Sequence, residues 1–256
     1  MKRFLTMLLV LLLLGGCAAV PSSVPEEPAR SGLEQTAIFF EGRVLYDLDG
    51  VLVLTEQIDG EEKGELLTFT LGDLPLTDEN GKAADRTIQP GDILSIAYDG
   101  SVLAIWPGLL SGPTAVQIIG HEETLAPFYA EQLMDLYEKD SGLNGEIQRI
   151  SLDLTAVSNL GEMEKAAVGY VLWCESGIEV FQETIEDLYE QGFVKDGGYY
   201  ETGVLLSLED SPVENGSFTM SAMKWRSGLG AVGYEDARAN RTANGWTCIP
   251  EAWFIS

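Results

Sequence analysis

The chain carries 256 residues, with 15 Lys and Arg against 41 Asp and Glu and a formal net charge of −26. Such a charge opposes binding to nucleic acid and to anionic lipid head groups, and suits cationic ligands, basic partners or calcium. Three cysteines are too few for a disulfide scaffold, and a single histidine, His121, argues against a histidine-based hydrolytic triad.

The N-terminus comes first. Met1-Lys2-Arg3 is positive, and Phe4 to Leu14 is almost wholly apolar. That run suits a secretory h-region and is well short of the ~20 residues that span a bilayer. Leu14-Gly15-Gly16-Cys17 resembles the lipobox of bacterial lipoproteins. The resemblance implies that residues 1–16 are a signal peptide and that the Cys17 sulfur receives a diacylglycerol. The protein is then a lipid-anchored one at the cell membrane, facing the extracytoplasmic side. Two acyl chains hold far better than one, because each buried methylene contributes ~0.8 kcal/mol. Removing Lys2 and Arg3 leaves 13 basic against 41 acidic residues, or −28. Residues 17–35 read as a flexible tether. Val20 to Ser31 holds three prolines, three serines and two glutamates and has nothing to bury.

Residues 36–120 read as strands. Asp49-Gly50 separates "GRVLYDL" from "VLVLTE", and Asp99-Gly100 separates "DILSIAY" from "SVLAIW". Asp-Gly between apolar runs is a strong hairpin signal, because a type I′ turn needs φ > 0 twice. "LLTFTL" and "TAVQIIG" supply more strands, and the set predicts a small antiparallel barrel. Gly91-Asp92, Tyr98-Asp99-Gly100 and Trp106-Pro107 resemble the end of the OB-like barrel domain of the YobA-like Gram-positive lipoproteins of unknown function. The likeness covers about a third of the chain, near residues 89–119, and implies no catalytic residues.

Residues 121–256 read as an α+β domain, with helices packed on an antiparallel sheet. Tyr129, Ala130, Leu133 and Tyr137 share one helical face, with Thr124 as the expected N-cap. A second stripe runs Met163, Ala166, Ala167, Tyr170, Val171, Cys174, with Asn159 and Glu162 spaced as a capping box. A third helix turns Phe181, Ile185 and Leu188 inward and ends at Gly192. "IQRISLDLTAV" reads as a strand between the first two helices, and the last sixty residues return to β. Export permits a Cys174–Cys248 bridge, but the place of Cys174 on the apolar stripe points to a buried free thiol.

Few chemistries survive. Gly228-Leu229-Gly230-Ala231-Val232-Gly233 matches G-x-G-x-x-G, but only 23 residues follow, with no room for a βαβ unit. It reads as a strand connection. No zinc spacing occurs, and turn chemistry explains "DLDG" and "DSGLNGE" better than calcium does. His121 reads as a linker residue. The remaining constellation is basic: Lys224 and Arg226 share one face of a strand, and Arg238 and Arg241 lie on the next segment. They predict either an anion-binding patch or cations that neutralise nearby carboxylates. The chain therefore reads as a non-catalytic, membrane-anchored binding or envelope-interaction lipoprotein without cofactor or metal. Its partner would be an envelope polymer, peptide or protein, not nucleic acid. Two alternatives are a carboxylate-based hydrolase acting at the cell envelope and a structural or inhibitory surface protein.

Overall fold

The computed structural model describes residues 38–58, 60–195 and 197–256. Cys17, the signal peptide and the tether lie outside the described residues.

The first sheet is built from β1 (Ile38–Leu48), β2 (Val51–Ile58), β3 (Glu61–Thr70), β4 (Leu76–Thr77), β5 (Asp92–Tyr98), β6 (Val102–Leu103), β7 (Gly108–Leu110) and β8 (Ala115–His121). Their spatial order is β4-β8-β5-β1-β2-β3-β7-β6. Asp49 and Gly50, at φ 50° and 91°, close the β1–β2 hairpin as a type I′ turn requires. The Asp99-Gly100 hairpin does not form. β5 pairs with β1 and β8, whereas β6 pairs with β7 at the far edge. Asp99 instead accepts a hydrogen bond from the Ser101 amide at 2.8 Å, which turns the chain without pairing the flanking strands.

The second half continues with α1 (Ala126–Glu138), β9 (Arg149–Ala156), α2 (Glu162–Ser176), β10 (Val180–Gln182), α3 (Ile185–Glu190), β11 (Val194–Lys195), β12 (Tyr199–Tyr200), β13 (Gly203–Asp210), β14 (Ser217–Ser227), β15 (Gly230–Thr242), β16 (Gly245–Cys248) and β17 (Phe254–Ile255). The sheet runs β10-β9-β13-β14-β12-β11, with β15 pairing β14, β16 and β17. β9 is parallel to both β10 and β13. A β–α–β crossover through α2 returns the chain in the same direction, as such a connection must.

The expected plan, a small N-terminal antiparallel barrel followed by helices on an antiparallel sheet, is corrected. Among the described residues there are two large mixed sheets, with 48% strand and 18% helix overall. Parallel pairs occur in both sheets, β3 with β7 and β4 with β8 in the first. The third expected helix is cut to six residues, because Phe181 belongs to β10. Thr184 and Asp187 then form the capping box that starts α3.

Strand alternation makes the first sheet two-sided. Leu52 and Leu54 join Phe40, Phe69, Leu94 and Ile96 on one face. Val53, Leu45 and Leu66 point the other way, into a core shared with α1, α2 and the second sheet. In α2 the buried face is Glu164, Ala167, Val168, Val171 and Leu172, one step round from the expected stripe. Apolar residues nearly encircle this helix, so periodicity could not choose the face. Its cap also shifts: the Gly161 amide donates to Glu164 at 2.9 Å. Asn159 is free to brace Asp210, donating through Nδ2 at 2.9 Å, and Asp210 also accepts from Ser158 and from the buried Tyr129 hydroxyl.

Candidate functional site

The four basic residues separate. β14 sends Phe218, Met220, Ala222 and Lys224 inward in strict alternation. Lys224 thus falls beneath α1, fully buried. Its ammonium donates to the carbonyls of Tyr137 and Lys139 at 2.7 Å each and of Asp140 at 3.2 Å, closing the C-terminus of α1. A helix end leaves such carbonyls without intrahelical partners; that of Tyr137 also accepts from Asn144 Nδ2 at 2.9 Å and that of Asp140 from the Leu143 amide at 3.0 Å. Arg226, next on that face, donates to the carbonyls of Leu143, Gly145 and Glu201. Arg238 pairs across from Thr219, six residues beyond the Lys224 partner Val232, or about 20 Å along the strand. It lines a cavity of about 710 Å³ whose walls also carry Glu235, Asp236 and Glu251. Arg241 forms an ion pair with Glu123 at 2.7 Å. No single face gathers the four for an external anion.

Cys174 and Cys248 are free thiols. Cys174 is exposed, contrary to the buried position expected, because α2 is rotated as described. Burial pushes the Cys248 thiol up to about 11, which keeps it protonated at neutral pH.

Arg241 leads to the site that the sequence did not reveal. A groove of about 1320 Å³ opens where the end of β1, the start of α1 and the β15–β16 hairpin meet. Arg241 and Trp246 are directly paired across that hairpin, and both grip Glu123, the indole Nε1 donating at 3.2 Å. Tyr46, Phe128 and Trp246 supply aromatic wall, and Asp47, Glu123, Glu131, Glu138 and Glu175 supply carboxylates. The charges converge: burial, Glu175 and Glu131, in that order, raise the pKa of Tyr46.

His121 also lines this groove, its side chain 52% exposed. It is the last residue of β8 and sits opposite Asp92 in the pairing with β5. Nδ1 donates to the Asp92 carboxylate at 3.0 Å, so in the neutral ring Nε2 is the free acceptor. The ring lies over Gly91, where a Cβ would come within 2.7 Å of Cε1, and Gly91 also has φ +93°. Asp92 is buried and accepts further from Arg86 at 2.6 and 2.9 Å and from the Gln89 amide at 2.8 Å. Burial alone would raise its pKa. The Arg86, Gln89 and His121 hydrogen bonds and the Arg86 charge outweigh burial and hold it below 3.8. A depressed carboxylate stabilises the fold above its unfolded pKa and loses that contribution as pH falls through the lower folded value. Asp92→Asn is therefore expected to lose about 2 kcal/mol at pH 7, with the gap to wild type closing below pH 4. Urea denaturation at pH 7, 5 and 3 checks this.

No family model and no curated protein matches the chain.

Proposed function

We propose that the chain is a lipid-anchored extracytoplasmic binding protein whose ligand is a cationic, partly apolar molecule, such as a basic peptide segment, held in the groove beside α1. The observation that carries this reading is the convergence of five carboxylates and three aromatic side chains on one groove, with Arg241 already bound to Glu123. Carboxylates attract the cation and aromatic faces hold its methylene or ring portions. The YobA-like resemblance at residues 89–119 agrees with an exported lipoprotein and adds no ligand.

A Lys-Trp-Lys peptide titrated calorimetrically into the mature protein tests the reading. Binding is expected to weaken with salt. Glu131→Gln with Glu138→Gln is expected to lower affinity about tenfold, at roughly 0.7 kcal/mol for each exposed charge. Unchanged affinity in the double variant, or preference for an acidic peptide, would overturn it.

A further inference from the structure

We infer that the end of the first sheet formed by Ile38, Phe39, Val102, Leu103, Ile105 and Trp106 docks on the lipid surface of the membrane that holds the chain; this rests on anchoring through Cys17. Each of the six side chains is large, apolar and between 40 and 62% exposed. They lie on two neighbouring stretches of backbone, Ile38 and Phe39 at the start of β1 and the other four at residues 102–106. Ile38 pairs with Tyr98, and a Cβ on Gly100 would come within 2.7 Å of the Ile38 side chain. From there the chain passes directly into Val102 and Leu103, and the Ile105 amide donates back to the Leu103 carbonyl at 2.9 Å. Trp106 is held rather than loose: it stacks on Trp173 at 6.2 Å and 15° and meets Tyr170 edge-on at 5.7 Å.

Three observations select lipid as the occupant. First, the charge is wrong for most of this protein to approach a membrane and is lower in the stretch that carries four of the six side chains, with Glu179 beside Trp106 in the same cavity wall. Residues 93–120 hold one charged side chain, Asp99, in a chain with 41 acidic residues. Second, an indole fixed beside exposed aliphatic side chains is the composition that settles at the boundary of head groups and acyl chains. Third, the anchor enters at this end. Ile38 opens β1, and 20 residues, Ala18 to Ala37, separate it from Cys17. Fully extended they reach at most ~70 Å, so the region stays at high effective concentration beside the bilayer.

The test uses membrane-extracted protein reconstituted into phosphatidylcholine vesicles brominated on the acyl chains near the head group. Part of the tryptophan fluorescence is expected to be quenched, and Trp106→Phe is expected to remove that quenched part. Leu103→Asp with Ile105→Asp, both at exposed positions, is expected to cut it by more than half with the urea midpoint unchanged. Equal quenching in Trp106→Phe, or no quenching in protein that floats with the vesicles, would overturn the docking. The mass of the N-terminal peptide reports the anchor separately. If Cys17 is unmodified, quenching is read on protein added to preformed vesicles, and its absence there counts against the surface itself. Quenching or shift of Trp106 emission by soluble wall saccharide, with none by lipid, would assign the region to a glycan and reject the inference.

Discussion

Replacing Arg43 with Met is expected to lower stability by about 3–5 kcal/mol, the usual cost of removing one partner from a buried ion pair. Arg43 lies on β1 with its side chain only 7% exposed. It donates to Glu62 of β3 through Nε at 2.9 Å and through Nη2, and it meets Glu164 of α2 at 3.2 Å. Nη1 reaches the Glu123 carbonyl at 3.3 Å. One guanidinium therefore ties the first sheet to α2 and to the segment that enters α1. Glu164 is 9% exposed, and its remaining partners are the Thr124 hydroxyl at 2.6 Å and the Gly161 amide at 2.9 Å. Without Arg43, Glu62 and Glu164 stand as two like charges with no cation between them. Adding Glu164→Gln to Arg43→Met is expected to restore more than 1 kcal/mol, because the second change removes the stranded charge. Urea denaturation of the two single variants and the double variant gives this coupling. Additive losses would show that the pair acts independently.

Lys224→Met is expected to cost about 3 kcal/mol at neutral pH. The methionine keeps most of the apolar stem but removes the donor of the Lys139 carbonyl and a charged donor from those of Tyr137 and Asp140, which keep the Asn144 side chain at 2.9 Å and the Leu143 amide at 3.0 Å. Each unpaired buried carbonyl costs about 1–3 kcal/mol, less where water enters. The pH dependence separates this from a simple packing loss. Burial lowers the Lys224 pKa from 10.5 to about 8, with the nearby Asp140 charge working the other way. Between those values the unfolded chain binds a proton that the native chain has released, so stability rises with pH. The rise from pH 8 to 10 is expected to be on the order of 2 kcal/mol after allowance for screening. It is present in the wild type and missing in Lys224→Met, so the gap between the two widens over that window. Above pH 10 the buried tyrosines oppose it, since Tyr129 and Tyr234 have raised pKa values through burial and the unfolded chain ionises first. A gap that stays constant from pH 7 to 10 would contradict the assignment.

Lys224 also illustrates how far the sequence could be read. Alternation placed Lys224 and Arg226 on one face correctly, and their cluster was conspicuous. Alternation does not say which face of a strand a helix will cover. Once α1 covers this one, the same two cations serve carbonyls, and an anion patch becomes a helix terminus. The place of Cys174 failed for a related reason. The α2 helix is apolar on most sides, so its buried face was set by α1 and the sheets that meet it.

The groove was illegible for a different reason. Tyr46, Glu131, Glu175 and Trp246 come from four elements spread over two hundred residues. The place of His121 at its wall, fixed by the hydrogen bond to Asp92, depends on β5 pairing with β8. No local pattern announces that register. His121 read as a linker because it falls at the expected boundary after residue 120, whereas it is the last residue of β8 and lines the groove.

What the sequence determined by itself is local: the strands around Asp49-Gly50, the helix through Tyr129 and Leu133, the turn at Gly192, and the acidic character of the whole. Backbone propensity, side-chain period and positive-φ glycines act over a few residues and need no partner. The tertiary structure alone decided that the sheets are mixed, which faces are buried, that Lys224 closes a helix, and that five carboxylates share one groove. Those outcomes depend on strand order and helix placement, which are set by the burial of apolar surface from distant segments together and not by any one of them.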